Sequence, residues 1–318
     1  MSQPLVTVIC LCYNHENFIK ECINSVVNQT YKNLQIIIVD DASTDGSKEV
    51  IKKLIEQFPD IEFLNLENNL GNCAAFNQGL NLAKGDYIVD LATDDVFLPS
   101  RIEKQVELFS TLNNDFGVVY SDAIFIDNES RQYNKHSKYL RKHGLIDDFP
   151  TGDIYQKVIS KYFISPPSLL VKREVFEELE GYDEQLAYED FDFWIRSARN
   201  WKYAYLPEPL TLVRKVRDSL SSGWYKKGDK QLFSTYLVCQ KISQLNRTKE
   251  EDEALINRLK YELRQSVFSE NNKEGALFYK MLKDYSRNSS IDNLLMLLSR
   301  LRVPLAPVRR LYNRLRFS

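Results

Sequence analysis

Two short runs near the N-terminus set the terms for any fold of this chain. Residues 5–12 (LVTVICLC) and 34–39 (LQIIIV) carry a single polar side chain each, Thr7 and Gln35. Strands that are apolar on both faces must be covered on both, as in a parallel sheet between two helical layers. Between them Phe18, Ile19, Cys22, Ile23, Val26 and Val27 recur at helical spacing. The alternation continues with a stripe of Val50, Ile51, Leu54, Ile55 and Phe58, a strand over 61–66, a helix over 72–84 that Gly85 stops, and a strand over 87–91. Pro99 then sits in the first turn of a helix carrying Ile102, Val106, Phe109 and Leu112, and 117–121 (GVVYS) is a fifth strand. Strand and helix in strict turn specify an α/β fold with helices on both faces of the sheet. Beyond residue 122 the order loosens. Residues 127–153 read as a long polar loop, helices are expected near 173–180 and 189–199, and the chain after 225 reads as helical. The expected division is an α/β domain over 1–222, with halves 1–122 and 123–222, and a helical region over 223–318.

Charge follows the same division. The 318 residues carry 42 Lys and Arg against 44 Asp and Glu, a formal net charge of −2. That balance offers no basic footprint for a nucleic acid. It conceals an asymmetry: residues 225–318 hold 19 basic and 10 acidic side chains, and residues 1–224 hold 23 and 34. The front part is therefore acidic and the back part basic. No apolar run approaches the roughly 18–20 residues of a membrane-spanning helix, and the opening MSQP has no basic, then apolar, leader pattern. The five cysteines (Cys10, Cys12, Cys22, Cys73 and Cys239) are odd in number and form no C-x-x-C pair. Buried thiols in a reducing cytoplasm are expected.

In an open parallel sheet, ligands bind beyond the carboxyl ends of the strands. Three polar clusters fall there: Tyr13-Asn14 after the first strand, Asp40-Asp41 after the second, and Asp94-Asp95 after the fourth. Each has a purely structural explanation. Asn14 could cap the first helix, Asp41, Ser43, Thr44 and Asp45 the second, and Asp94-Asp95 the helix at Pro99. Two adjacent acids exceed what one cap uses, however, and the clusters recur at matching strand ends. Carboxylates gathered on one edge repel unless a cation or hydrogen-bond donors compensate. Oxygen ligands without Cys or His suit magnesium or manganese. Neither G-x-G-x-x-G nor G-x-x-x-x-G-K-[ST] occurs among the eleven glycines. Phosphates bound here would be held through a metal rather than by a glycine-rich loop.

The segments VTVICLCYNHENFIKECINSVVNQTYKNLQIIIVDDASTDGS, ENNLGNCAAFNQGLNLAKGDYIVDLATDDVFLP and LEGYDEQLAYEDFDFWIR, in this order, resemble the family 2 glycosyltransferases of GT-A fold. The resemblance spans about residues 4–222. It implies a mixed, mostly parallel sheet with flanking helices, here with a helical C-terminal appendage. It also implies an inverting transferase that moves a sugar from a nucleotide-diphosphate donor, a UDP-sugar by preference, to a glycan or lipid-linked acceptor hydroxyl. The setting would be synthesis of a surface polysaccharide or glycoconjugate. By the same resemblance Tyr13 packs on the base with Asn14 beside it, and Asp41 accepts a hydrogen bond from the base, with Asp40 the weaker candidate. Asp94 contacts the ribose or the metal shell, and Asp95 ligates a magnesium or manganese ion. Asp190 of the Glu189-Asp190 pair is the general base, which must reach the acceptor proton. Glu189, Trp194, Arg214 and Arg217 are candidate acceptor or phosphate contacts, although Trp194 clusters with Trp201, Tyr188 and Tyr203 and core packing is the more readily expected role of these aromatics. The structural explanation for Glu189, Asp190 and Asp192 is favourable charge at a helix start.

Two positions depart from the family pattern. Phe76-Asn77 stands where an Arg-Asn is frequent, and Val216 stands where a metal-proximal His usually falls after Arg214. They motivate the alternative of an inactive relative that binds a nucleotide or glycan without transfer. A nucleotidyltransferase is disfavoured, because CYNHENF is no glycine-rich basic loop. At the other end, residues 299–318 contain Arg300, Arg302, Arg309, Arg310, Arg314 and Arg316 and no acid. Val308, Leu311, Tyr312 and Leu315 would share one helical face. Residues 293–318 are therefore expected to meet an anionic membrane surface or a second subunit. The protein would lie in the cytoplasm or peripherally on the inner face of the membrane.

Overall fold

The computed structural model describes residues 3–215, 225–301 and 303. Val216, Arg217 and the arginine-rich stretch from 304 onward lie outside the described residues. The strands are β1 (Val6–Cys12), β2 (Leu34–Asp40), β3 (Glu62–Asn65), β4 (Tyr87–Ala92), β5 (Val96–Phe97), β6 (Phe116–Ile126), β7 (Gln132–Lys135), β8 (Leu169–Lys172) and β9 (Lys202–Arg214). The first eight helices are α1 (Ile19–Val27), α2 (Ser47–Gln57), α3 (Asn72–Leu80), α4 (Arg101–Thr111), α5 (His136–Lys142), α6 (Tyr155–Ser160), α7 (Arg173–Leu179) and α8 (Asp190–Ala198). They are followed by α9 (Gln231–Leu245), α10 (Lys249–Phe268), α11 (Asn272–Asp284) and α12 (Ser290–Arg300).

The chain forms two compact units. A sheet unit comprises residues 1–154, 163–184 and 192–216, and a helical unit comprises 155–162, 185–191 and 217–318. The boundary expected at 222/223 lies outside the described residues. Two excursions of the chain, at 155–162 and 185–191, group with the helical unit. The second excursion carries Glu189 and Asp190 into the helical unit.

In the sheet unit the strands run in the order β3-β2-β1-β4-β8-β6-β9-β5, with β7 paired to β6. Strands β1, β2, β3 and β4 are parallel neighbours, as their apolar runs require, and β6 is parallel to β9. Strand β8 is antiparallel to both β4 and β6, and β5 and β7 are antiparallel additions. The sheet is thus mixed and mostly parallel. All seven residues of β1 are buried. Cys10, Cys12, Ile19, Cys22, Ile23, Val26, Ile38, Ile51, Val89 and Leu91 belong to one apolar cluster. Helix α3 packs so closely that a Cβ on Gly79 would lie 2.6 Å from a methyl of Ile9. The five cysteines are buried and none forms a disulfide among the described residues.

Several local expectations are corrected. Asn14 does not cap α1, whose N-cap is Phe18 with no side-chain cap bond; its amide is engaged with Thr44. Pro99 precedes α4, whose N-cap is Ser100. The third helix ends at Leu80 rather than 84. Strand β6 runs to Ile126, well past GVVYS. The polar stretch after 127 contains β7 and α5. Strand β7 is almost fully exposed (QYNK), so no apolar alternation marks it.

Helix α5 opens on His136, whose imidazole is pushed down to about 4 by burial and the Lys215 charge, against the pull of Asp122. A histidine with a depressed folded pKa stabilises the fold fully above its unfolded pKa near 6.5, and that stability is lost as pH falls toward 4. The expected loss is on the order of 2–3 kcal/mol. The wild-type melting temperature should therefore fall more steeply between pH 6.5 and 4 than that of His136→Gln. Parallel melting curves for the two proteins would refute this.

The helical unit is built on explicit start signals. Thr248 and Glu251 form a reciprocal capping box at α10, and Ser289 and Asp292 form another at α12. Among the described residues no helix is long and apolar enough to cross a membrane.

Candidate functional site

The parallel pairing of Cys12 with Asp40 and of Leu11 with Ala92 brings three strand ends to one edge of the sheet unit. Asp41 N–H extends the ladder by one bond to Cys12 O (2.9 Å). The chain then turns sharply, with Ala42 at φ 57° and, at the neighbouring strand end, Asn14 at φ 59°. Ser43 links the two turns: its hydroxyl donates to Asp40 Oδ1 and accepts Asn14 N–H at 2.9 Å. Asn14 Oδ1 in turn accepts Thr44 N–H at 2.8 Å. Asp41 is buried, and its two oxygens accept Leu70 N–H (2.7 Å) and Gly71 N–H (2.9 Å). It therefore pins the loop that enters α3, where Gly71 at φ 85° adopts a conformation that favours glycine. Neither Asp40 nor Asp41 caps α2; Asp45 serves that start by accepting Ser47 N–H at 3.0 Å. On this edge the exposed apolar side chains are Tyr13 (46%) and Leu70 (49%). No sequence signal distinguishes Leu70, because its exposure depends on where Asp41 fixes its loop.

At the end of β4, Thr93 and His15 tie two strand ends together through a 2.9 Å bond between Thr93 Oγ1 and His15 Nδ1. Asp95 N–H closes a turn onto Ala92 O at 3.0 Å. Strand β5 then pairs with β9, so the acidic pair meets Arg214. Arg214 N–H donates to Asp95 Oδ1 (2.8 Å), and Arg214 Nε donates to Asp94 O (2.9 Å). Nη1 bonds Asp127 O at 2.7 Å, while Nη2 bonds Glu21 Oε2 at 2.8 Å and Ser130 Oγ at 3.1 Å. The guanidinium lies 4.6 Å from the centre of the Phe18 ring, and the side chain is fully buried. This corrects the expectation of a phosphate contact: every guanidinium nitrogen is occupied, and Arg214 acts as the brace of the Asp94–Asp95 turn. Neither acid caps α4.

The pair suits a hard cation. Asp95 is buried, and burial together with the neighbouring Asp94 holds its carboxyl well above the usual range. Ionising it without a compensating positive charge is costly. Among the described residues no side chain donates a hydrogen bond to the half-exposed Asp94 carboxylate. Two carboxylates without Cys or His match magnesium or manganese, which take one or two carboxylates plus phosphate oxygens. Among the described residues no third His, Cys, Asp or Glu joins them. Arg217, the other candidate phosphate contact, and Val216 lie outside the described residues.

Glu189 and Asp190 are half-buried at the start of α8, in the helical unit. Of the acids in this stretch, Asp192 is structural. It is buried and bonds Arg196 Nε at 2.6 Å, and Arg196 in turn holds Leu179 O and Gly181 O. Trp194 is 3% exposed and lies in the core with Tyr188 and Tyr203, the more readily expected of its two readings. Phe76 is fully buried and stacks on Tyr182 at 4.3 Å, so an apolar ring stack occupies the place of the family's frequent arginine. Asn77 holds the turn after α7 in both directions, donating to Tyr182 O and accepting Tyr182 N–H at 2.9 Å each.

Comparison with known proteins places this geometry. The sequence profile described as Glycosyl transferase family 2 matches residues 7–180. An uncharacterised glycosyltransferase of Methanocaldococcus jannaschii is 34% identical over 248 residues, covering 75% of this chain and 79% of that protein. Several other curated relatives are spanned over less than two thirds of their own length. Among solved structures, S. aureus TarS in complex with UDP-GlcNAc is similar with a TM-score of 0.66 and 18% identity, over 93% of this chain and 87% of that one. The mannosyltransferase PcManGT of Pyrobaculum calidifontis, in complex with GDP-Man and Mn2+, is similar with a TM-score of 0.61 and 16% identity, over 98% and 83%. The strand-end acids, the mixed sheet and the profile match agree: the chain belongs to glycosyltransferase family 2 and has the GT-A fold.

Proposed function

We propose that this glycosyltransferase moves a sugar from a nucleotide-diphosphate donor, by preference a UDP-sugar, to a glycan or lipid-linked acceptor hydroxyl with inversion. The observation that carries the reading is the Asp94–Asp95 turn, two adjacent carboxylates at a strand end braced by a buried arginine whose guanidinium nitrogens bond elsewhere. Tyr13 offers the exposed ring on which a base can lie, and Asn14 shapes the turn beneath it. Asp41 keeps lone pairs beyond its two backbone bonds for a base N–H, and Asp40 holds Ser43. Asp95 and Asp94 would hold a divalent cation, which when bound offsets negative charge on the departing diphosphate. Asp190 accepts the proton of the attacking hydroxyl, and Glu189 lies beside it for acceptor contact. Displacement from the face opposite the leaving group inverts the anomeric centre. The test is a thermal-shift and calorimetric panel of UDP, GDP and their sugar conjugates, with and without manganese. One nucleotide should bind in a manganese-dependent manner, and its sugar conjugate should be hydrolysed slowly. Binding without turnover on any donor would favour the inactive relative; no binding at all would end the reading.

The membrane contact is part of the same proposal. In the helical unit Ile291, Leu294, Leu297 and Leu301 are exposed along α12. On the opposite, buried side of α12 lies an open groove of about 560 Å³ whose lining includes Lys273, Lys280, Lys283 and Arg300, no acid and none of these four apolar side chains. An exposed apolar ridge on a helical unit with a basic excess matches an anionic bilayer surface. Leu294→Asp/Leu297→Asp should lose sedimentation with phosphatidylglycerol vesicles while keeping nucleotide binding. A wild-type protein that ignores such vesicles but is dimeric in sedimentation velocity would assign the ridge to a second copy instead.

A further inference from the structure

The segment that carries Glu189 and Asp190 is fastened on both sides, within the helical unit, by side chains of α9 and α10. On its N-terminal side Ala187 N–H donates to Ser234 Oγ at 2.8 Å, and the Tyr188 hydroxyl bonds Thr235 Oγ1 at 2.7 Å. On its C-terminal side Phe191 is fully buried and meets the Tyr162 ring edge-to-face, at 5.0 Å and 83°. The Arg258 guanidinium lies over both rings, 4.1 Å from Tyr162 and 4.7 Å from Phe191. Arg258 Nε donates to Ile159 O at 2.9 Å and Nη1 to Glu262 Oε1 at 3.2 Å. Glu262 in turn accepts the Tyr225 hydroxyl at 3.1 Å. Arg258 and Glu262 are both buried, at 3% and 0%.

A buried ion pair is a poor way to gain stability, since an apolar pair of similar volume does as well or better. What this one supplies is position. A flat guanidinium clamped by a carboxylate and a carbonyl presents one fixed face to Phe191, which a flexible apolar side chain would not. We infer that Arg258, Glu262 and Thr235 are positioning residues for Asp190, so that the C-terminal helices belong to the catalytic apparatus although they supply no reacting group. The inference rests on the proposed base role of Asp190. Displacing a reacting group by about 1 Å can cost on the order of 100-fold in rate.

The test uses the full chain and two conservative changes. Thr235→Val removes only the hydroxyl that meets Tyr188. Arg258→Met/Glu262→Gln removes the charges together and leaves an acceptor for Tyr225. On the donor that the wild type hydrolyses fastest, kcat should fall ~10–100-fold in each, with donor KM and UDP affinity within about twofold. Hydrogen exchange in the peptide spanning 185–191 should rise about tenfold. A purely structural role would move the melting temperature and leave kcat and that peptide alone. Unchanged exchange, or unchanged kcat in both variants, overturns the inference. Should Asp190→Asn keep full turnover while the network variants lose it, the base role falls and the positioning of the segment stands.

Discussion

Asp190→Asn is expected to lower sugar transfer by ~10²–10⁴-fold while leaving UDP affinity within about twofold, the range that a positioned general base supplies. The substitution keeps the shape of the side chain and one acceptor oxygen, and Asn is also tolerated at a helix start. The fold should therefore persist, and a fall in turnover reports chemistry. The separation is sharp because the proposed base acts on the acceptor hydroxyl, whereas Tyr13, Asp41, Asp94 and Asp95 are the residues proposed to hold the nucleotide and its metal. A loss of UDP affinity in this variant would show that the residue supports nucleotide binding and would remove it as the base. Wild-type turnover would do the same from the other direction. Glu189→Gln is the natural control, because it changes the adjacent carboxylate without touching the proposed base.

The parts of the fold written in the sequence are those where one local rule decides. The almost wholly apolar runs of β1 and β2 permit little besides buried parallel strands, and the stripes of α1, α2 and α4 take the faces expected. What stayed hidden depends on partners far along the chain. Strand β8, only four residues long, slots antiparallel between β4 and β6 because its neighbours leave that place open. Strand β7 is polar and exposed, so no periodicity betrays it. The grouping of 185–191 with the helices arises from bonds to Ser234 and Thr235 that lie 47 residues away.

The site divides in the same way. Strand ends locate Tyr13, Asp40, Asp41, Asp94 and Asp95 from topology alone. The job each side chain does is set by tertiary contacts. Asp41 reads as a ligand for a base, and it is also the anchor of the Leu70–Gly71 loop. Arg214 reads as a phosphate contact until its guanidinium is seen to be enclosed by Glu21, Asp94, Asp127 and Ser130. Trp194 reads as core more readily than as a stacking platform, because the same bulk suits both, and the core holds it.

Asp95→Asn should separate stability from function within one residue. Asn keeps an acceptor for Arg214 N–H, so the turn is retained, and a buried charge next to Asp94 disappears. A carboxyl held above its usual pKa lends its stability in the protonated form. That stability is fully present below the unfolded value near 3.9 and is lost as pH rises through the raised folded value. At neutral pH and without metal the variant should therefore melt higher than wild type, by on the order of 1 kcal/mol or a few degrees. The difference should shrink on acidification toward pH 4. Manganese should reverse the ranking, because a cation that binds the native state of the wild type stabilises it by mass action and has lost a ligand in the variant. The same loss should cost transfer on the order of 10³-fold, since several kcal/mol of charge stabilisation go with it. A variant that melts lower than wild type in chelator would mean that the Asp95 carboxylate is needed for the turn itself. A variant whose nucleotide binding still responds to manganese would move the metal away from Asp95.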